Sequence, residues 1–136
     1  MDTDFQEKCG TMILITGGAY QGKSAFAKKL ASETRPAAQS PLPDGKNPQK
    51  DRIVEDIHQT IAEALREGRD PYAEIETLVH SVPDAIVTVQ ELGCGIVPID
   101  PFDREWREVT GRISCRLANE AFAVYRMVCG IPQRLK

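Results

Sequence analysis

The sequence predicts a single α/β domain, three layers built around a small, mainly parallel sheet. Three observations predict it. Met12, Ile13, Leu14, Ile15 and Thr16 form a short apolar run that passes through a glycine-rich turn straight into helical spacing, the strand–turn–helix order of a phosphate-binding unit. Two further apolar runs, Ala85-Ile86-Val87-Thr88-Val89 and residues 124–129, are each reached through stretches of helical periodicity. Strands that alternate with helices pair in parallel through right-handed crossovers. At 136 residues the chain has room for one domain with a modest core. The predicted fold is therefore P-loop NTPase-like, with its ligand edge at the carboxyl ends of the strands.

The turn after the first strand is Gly17-Gly18-Ala19-Tyr20-Gln21-Gly22-Lys23-Ser24, which fits G-x-x-x-x-G-K-[ST]. Glycines without a Cβ let the backbone curl with its N–H groups pointing inward at an anion. The N-terminus of the following helix adds partial positive charge and free N–H donors. In this arrangement Lys23 is expected to reach the β- and γ-phosphates, and the Ser24 hydroxyl to coordinate the magnesium that bridges them.

Residues 1–10 are polar, without periodicity, and read as a flexible tail ahead of a single domain over 11–136. After the loop, Ala25, Phe26, Ala27 and Leu30 are expected to face the sheet, and the helix must end before Pro36. Residues 35–50 carry Pro36, Pro41, Pro43 and Pro48 and read as a long loop, a lid or binding segment. Residues 51–67 have helical spacing through Ile53, Val54, Ile57, Ile61, Ala64 and Leu65, with Gly68 placed to stop the helix. A shorter helix begins at Pro71 and runs through Tyr72, Ile75, Leu78 and Val79. Pro83 marks the entry to the strand over 85–89, whose carboxyl end carries Glu91. A carboxylate there either holds magnesium or its waters or caps the local loop. The longest helix is expected over residues 101–122, turning Phe102, Trp106, Val109, Ile113, Leu117 and Ala121 to the core. On its first turns Arg104 and Arg107 are three apart; the pair either clamps a phosphate or joins Glu105 and Glu108 at the surface.

Composition narrows the function classes. The net charge is −3 and no basic run is present, which argues against nucleic-acid or membrane-surface binding. Neither a spanning apolar stretch nor a secretory leader is apparent, so a cytoplasmic protein is expected. Cys9, Cys94, Cys115 and Cys129 are far apart with no C-x-x-C pair, so free, mostly buried thiols are expected rather than a zinc site or disulfides. A sheet of three short strands leaves two edges to protect, and a homo-oligomer is one way to cover them.

Three segments together resemble a known family. Ile13-Leu14-Ile15-Thr16-Gly17-Gly18-Ala19 with Gly22-Lys23-Ser24, then Glu91-Leu92-Gly93 with Gly95-Ile96-Val97-Pro98, then Arg104, Arg107-Glu108 and Gly111-Arg112 are similar to adenosylcobinamide kinase/adenosylcobinamide-phosphate guanylyltransferase. Ala118, Val124, Gly130-Ile131-Pro132 and Leu135-Lys136 agree with that family's last strand and tail. The resemblance covers residues 12–30 and 85–136. It implies a cytoplasmic enzyme of late cobalamin assembly that uses ATP or GTP with magnesium to phosphorylate the aminopropanol hydroxyl of adenosylcobinamide. It further implies GMP transfer from GTP through a guanylylated histidine, and a homo-oligomer. By similarity, residues 17–24 bind nucleotide, Glu91 lies beside metal and phosphates, and Arg104 and Arg107 sit near the active site.

The middle of the chain departs from the family. Where longer members carry further strands, an acidic strand end and the helix of the nucleophilic histidine, this sequence shows a proline-rich loop and two helices, the pattern of a short form. His58 stands broadly where the nucleophile is expected; the other reading is a helix histidine without chemistry, and His80 near a helix end has the same alternative. Gln90 stands in place of the Asn that usually precedes the Glu, and Ser114-Cys115 replace an Asn-Gln pair. Beside the kinase stand two other functions. One is a non-catalytic nucleotide-binding module of regulation or assembly. The other is a simple triphosphatase, for which no water-positioning residue is apparent.

Overall fold

The computed structural model describes residues 12–33, 52–82, 84–92 and 99–136. They form β1 (Ile13–Gly17), α1 (Lys23–Glu33), β2 (Ile53–Val54), α2 (Ile57–Arg66), α3 (Pro71–His80), β3 (Ile86–Gln90), α4 (Pro101–Glu120), β4 (Ala123–Val128) and β5 (Ile131–Arg134). The sheet order is β2-β3-β1-β4-β5. β1 is central, parallel to β3 with Ile13 opposite Ile86 and Gly17 opposite Gln90, and parallel to β4 with Ile13 opposite Ala123. β2 extends the parallel set beyond β3, and β5 returns antiparallel along β4.

β1 reads as an unbroken apolar run because both its faces are covered. On one face Ile13, Ile15, Ile86, Ala123 and Met127 pack against Ala27, Leu30 and Ala31 of α1. On the other, Leu14, Val87, Val89 and Val124 pack against Ile57 and Ile61 of α2, Ile75 and Val79 of α3, and Ile113 and Leu117 of α4. Each of the larger side chains sealed there contributes about 1.5–3 kcal/mol of burial. The result is the α/β three-layer arrangement expected, one helix against three across a small, mainly parallel sheet.

Local chemistry sets the helix limits. Gly68 closes α2 at φ 71°: its N–H bonds the Leu65 carbonyl, and the Arg69 N–H reaches back to that of Ala64 at 2.8 Å, a Schellman ending. Asp70 caps α3 by accepting from the N–H groups of Tyr72 and Ala73, with Pro71 at the first position. Asp100 and Pro101 repeat this at α4.

Several expectations need correction. Ile53 and Val54 do not belong to a helix over 51–67: they form β2, pairing with Ile86 and Val87. Their spacing suits a helical stripe, but the open edge of β3 takes these two β-branched residues, and Asp56 at φ 53° breaks the chain before α2. The sheet has five strands among the described residues rather than three, because β5 also forms. Ala25 is exposed, and Ala31 takes its place in the core. α4 ends at Glu120, where Ala121 turns to extended backbone at ψ 143°. Cys115 and Cys129 are free thiols as expected, but exposed rather than buried. The expectations for residues 1–10, the loop at 35–50, Pro83, Cys9, Cys94 and residues 93–98 fall outside the described residues. Among the described residues no helix is long and apolar enough to cross a membrane.

Candidate active site

The phosphate loop springs from the central strand, where β1 must press close to β4. A Cβ built on Gly17 would lie 2.8 Å from the Met127 carbonyl oxygen, so no other residue fits without parting the strands. Tyr20 holds a left-handed φ of 57° and Gly22 one of 88°, which curl the loop back to α1, starting at Lys23. Gln21 ties the loop down: its side-chain Oε1 accepts from the Cys129 N–H at 2.5 Å, and its carbonyl accepts from the Gly130 N–H at 3.1 Å. The Tyr20 ring is fully exposed.

Lys23 is buried, and its Nζ donates to the Gly18 carbonyl at 2.6 Å. Burial lowers its pKa, and the nearby Asp56 and Glu91 carboxylates oppose that shift. The ammonium thus sits in a pocket of reduced dielectric with two anions near it, where its attraction for a phosphate is less screened than in water.

The neighbouring residue supplies the second half of the site. The Ser24 hydroxyl donates to Glu55 Oε1 at 2.6 Å. Glu55 follows β2 directly, so its carboxylate stands at the carboxyl end of a parallel strand, across from the loop. Asp56, next in line, binds the Thr88 hydroxyl through its backbone N–H at 2.9 Å. Although it occupies the N-cap of α2, its side chain makes no capping bond; the left-handed backbone at this position places it beside the loop instead. Asp56, His58, Gln59, Thr88 and Gln90 line one cavity with loop residues Ala19, Tyr20, Gln21, Gly22, Lys23, Ser24 and Ala25.

His58 is buried at 3% exposure on the first turn of α2. Its Nδ1 accepts from the Gln90 N–H at 3.2 Å. The Trp106 ring stacks beside the imidazole at 6.4 Å between centroids, and the indole N–H donates to the His58 carbonyl at 2.7 Å. Burial lowers the imidazole pKa first; Asp56 opposes that and Lys23 adds to it.

Other predicted site residues lie outside this cavity. The Glu91 N–H bonds the Gly17 carbonyl, which keeps Glu91 next to the loop, but its carboxylate is gripped by Arg126 of β4, at 3.0 Å from Nε and 3.4 Å from Nη2. Arg104 is exposed. Arg107 lines a separate cleft with Tyr72, Gly111 and Cys115. His80 lies 3.6 Å from the Glu120 carboxylate at the end of α3. Glu55, Asp56 and Arg126 escaped the sequence reading. The available signal for the first two was an acidic pair directly after the β-branched Ile53-Val54, visible once that pair is taken as a strand.

The oxygen donors at Ser24 and Glu55 suit magnesium, a hard cation that takes few protein ligands and completes its shell with phosphate and water. Among the described residues no cluster of three or more His, Cys, Asp or Glu side chains that could hold a metal occurs.

Residues 43–135 match the family described as cobinamide kinase / cobinamide phosphate guanyltransferase. The chain belongs to that family. The match lies wholly beyond the phosphate loop, so loop and family are independent observations that agree. The chain is also similar to the bifunctional adenosylcobalamin biosynthesis protein CobU of Escherichia coli K12, with 26% identity over 180 aligned positions, covering 92% of this chain and 99% of the relative. A chain of 136 residues cannot fill 180 positions, so the relative carries segments that this short member lacks. Family membership supports a nucleotide-using transferase of cobalamin biosynthesis.

Proposed function

We propose that the chain is the kinase of this family in reduced form. It moves the terminal phosphoryl group of ATP or GTP to the aminopropanol hydroxyl of adenosylcobinamide. The observation that carries this reading is the Ser24–Glu55 hydrogen bond at 2.6 Å, which sets a strand-end carboxylate against the loop hydroxyl, as phosphoryl transfer requires.

In this reading the loop amides and the N-terminus of α1 receive the phosphates, and Lys23 neutralises charge on the β- and γ-oxygens. Ser24 and Glu55 would hold magnesium, which would offset the charge that builds on the phosphates. The acceptor hydroxyl oxygen forms a bond to the γ-phosphorus while the bond from that phosphorus to the β–γ bridging oxygen breaks, and the nucleoside diphosphate leaves with the electron pair. The hydroxyl proton passes to the carboxylate of Asp56. Glu91, held by Arg126, supports the electrostatics of Lys23 from behind the loop. Arg104 and Arg107 on α4 belong to the acceptor side. A homo-oligomer would cover Phe122, Val128 and Ile131, which are exposed.

The test is nucleotide consumption by the purified protein with magnesium, comparing ATP and GTP with and without adenosylcobinamide, with products resolved by mass. The expected product is cobinamide phosphate, formed only when acceptor is present. Tight nucleotide binding without consumption overturns the kinase in favour of a binding module, and consumption without acceptor overturns it in favour of a triphosphatase.

A further inference from the structure

We infer that His58 is a neutral hydrogen-bond donor to the transferring phosphoryl group, presenting Nε2–H to the loop cavity, and not a covalent carrier of nucleotide. The inference rests on the kinase reading for the identity of the group it serves, and on the geometry of the ring for the rest.

The ring's tautomer is set by its neighbour. The Gln90 backbone N–H donates to Nδ1 at 3.2 Å, so Nδ1 carries the lone pair. In a neutral imidazole the proton then resides on Nε2. Attack on phosphorus through Nε2 needs the opposite tautomer, with Nδ1 protonated and Nε2 bare, and that would set two N–H groups against each other. A doubly protonated ring meets the same conflict. Burial and the Lys23 ammonium both lower the imidazole pKa, against the pull of Asp56, in agreement with the geometry.

Position and access complete the argument. Trp106 stacks on the ring and bonds the His58 carbonyl, which fixes the orientation of the first turn of α2. His58 lines the cavity that Lys23 and Ser24 also line, and with Nδ1 turned to the Gln90 N–H Nε2 is the ring nitrogen left to face it. A fixed neutral donor there can strengthen its bond as charge develops on the phosphoryl oxygens, and it needs no reorganisation to do so. Since Nε2 stays protonated throughout, no bond to His58 forms and GMP transfer does not pass through this residue.

Two substitutions separate the ring's two ends. His58→Asn keeps a side-chain acceptor near Nδ1 for the Gln90 N–H and removes the distal donor. His58→Gln keeps an amide donor near Nε2 and loses the acceptor. The expected result is a kcat lowered about 100-fold in His58→Asn, the usual effect of removing one such donor, with the KM for nucleotide little changed. His58→Gln should retain kcat to within about 10-fold while unfolding at lower urea. The reverse order of kcat would show a purely structural ring and overturn the inference. Independently of turnover, long-range 1H–15N correlation spectra should show Nδ1 bare and Nε2 protonated, with the Nε2 resonance moving when a non-hydrolysable ATP or GTP analogue is added with magnesium. The opposite tautomer, an unmoved Nε2, or label from α-phosphate-labelled GTP attached to His58 would each overturn it. If the wild type forms no cobinamide phosphate, the kinase reading falls, and the spectra and labelling still decide the state of His58.

Discussion

Replacing Gly17 with Ala should strike the fold and the nucleotide loop together. The new Cβ would lie 2.8 Å from the Met127 carbonyl oxygen and 3.3 Å from Met127 Cβ, whereas carbon–oxygen contacts between neighbouring strands settle at about 3.3–3.6 Å. The shortfall is therefore about 0.5 Å or more. Its nearest partner is backbone of an adjacent strand, with no flexible side-chain end to give way. Forced overpacking of this kind costs about 1–3 kcal/mol. Gly17 also holds φ at 155°, outside the comfortable range of an L-residue, which adds strain of order 1–3 kcal/mol. A total loss of about 2–6 kcal/mol is a large part of the roughly 5–15 kcal/mol that holds a domain folded. Urea denaturation followed by circular dichroism should show the midpoint lowered by about 1–3 M, with nucleotide affinity falling in parallel as β1 and β4 part beneath the loop. A midpoint within about 0.5 M of wild type would refute the close approach of the two strands at this point.

Gly111→Ala should act in the opposite sense, since Gly111 lies within α4 with nothing within 4 Å of a built Cβ; thermal melts should report a gain of about 0.5–1 kcal/mol. Lys23→Ala should lower kcat about 100-fold or more in the cobinamide assay with an unchanged circular dichroism spectrum, and retained turnover would contradict its role. Glu55→Gln should raise the magnesium concentration needed for half-maximal turnover about 10- to 100-fold, a shift read by titrating the metal at fixed nucleotide; an unchanged requirement would remove Glu55 from the metal site. His58 has a pKa in the folded chain below its ordinary 6.5. Between the two values the unfolded chain binds more protons, so its contribution to stability is present above pH 6.5 and is lost as the pH falls through that window. Urea midpoints measured at descending pH should fall less steeply in His58→Asn than in the wild type, and parallel slopes would show that the imidazole does not titrate differently on folding.

The parts of the molecule legible in the sequence are those whose information is contiguous. The loop over 17–24 carries its own chemistry, Gly68 and Pro71 mark a helix end and a helix start, and the strands near 86–90 and 123–128 are apolar runs long enough to stand out. β2 was not legible because Ile53 and Val54 also fit the helical stripe of Ile57 and Ile61; the choice is made by the edge of β3, more than thirty residues away. With Ile53 and Val54 placed in a helix, the sequence shows no strand end at Glu55, and Glu91 is the strand-end carboxylate it offers. β5 shows no alternation, since all four of its residues are exposed, and Pro132 within it argues against a strand except at an edge. The turn before it places Cys129 and Gly130 both at positive φ, the backbone of a tight two-residue hairpin, with Cys where Asn or Asp usually stands. Arg126 interrupts an apolar run, and its meaning appears only when β4 lies beside the residue that follows β3.

The clip between Gln21 and the turn at Cys129-Gly130 has a consequence in time. The partners are 108 positions apart, and at about 5–20 residues per second a ribosome needs on the order of 5–20 s to travel between them. For that interval the nascent chain carries the complete glycine-rich sequence without the turn that braces it, and β1 gains β3 only late in it and β4 only at its end. Nucleotide can therefore offer little help to an emerging chain, because its site sets only after β3 and β4 have been delivered. Pairings this distant also form slowly, and Ile13, Leu14 and Ile15 keep one open strand edge until β4 arrives. Supplying ATP or GTP should rescue the finished protein from heat far better than it protects the protein during synthesis.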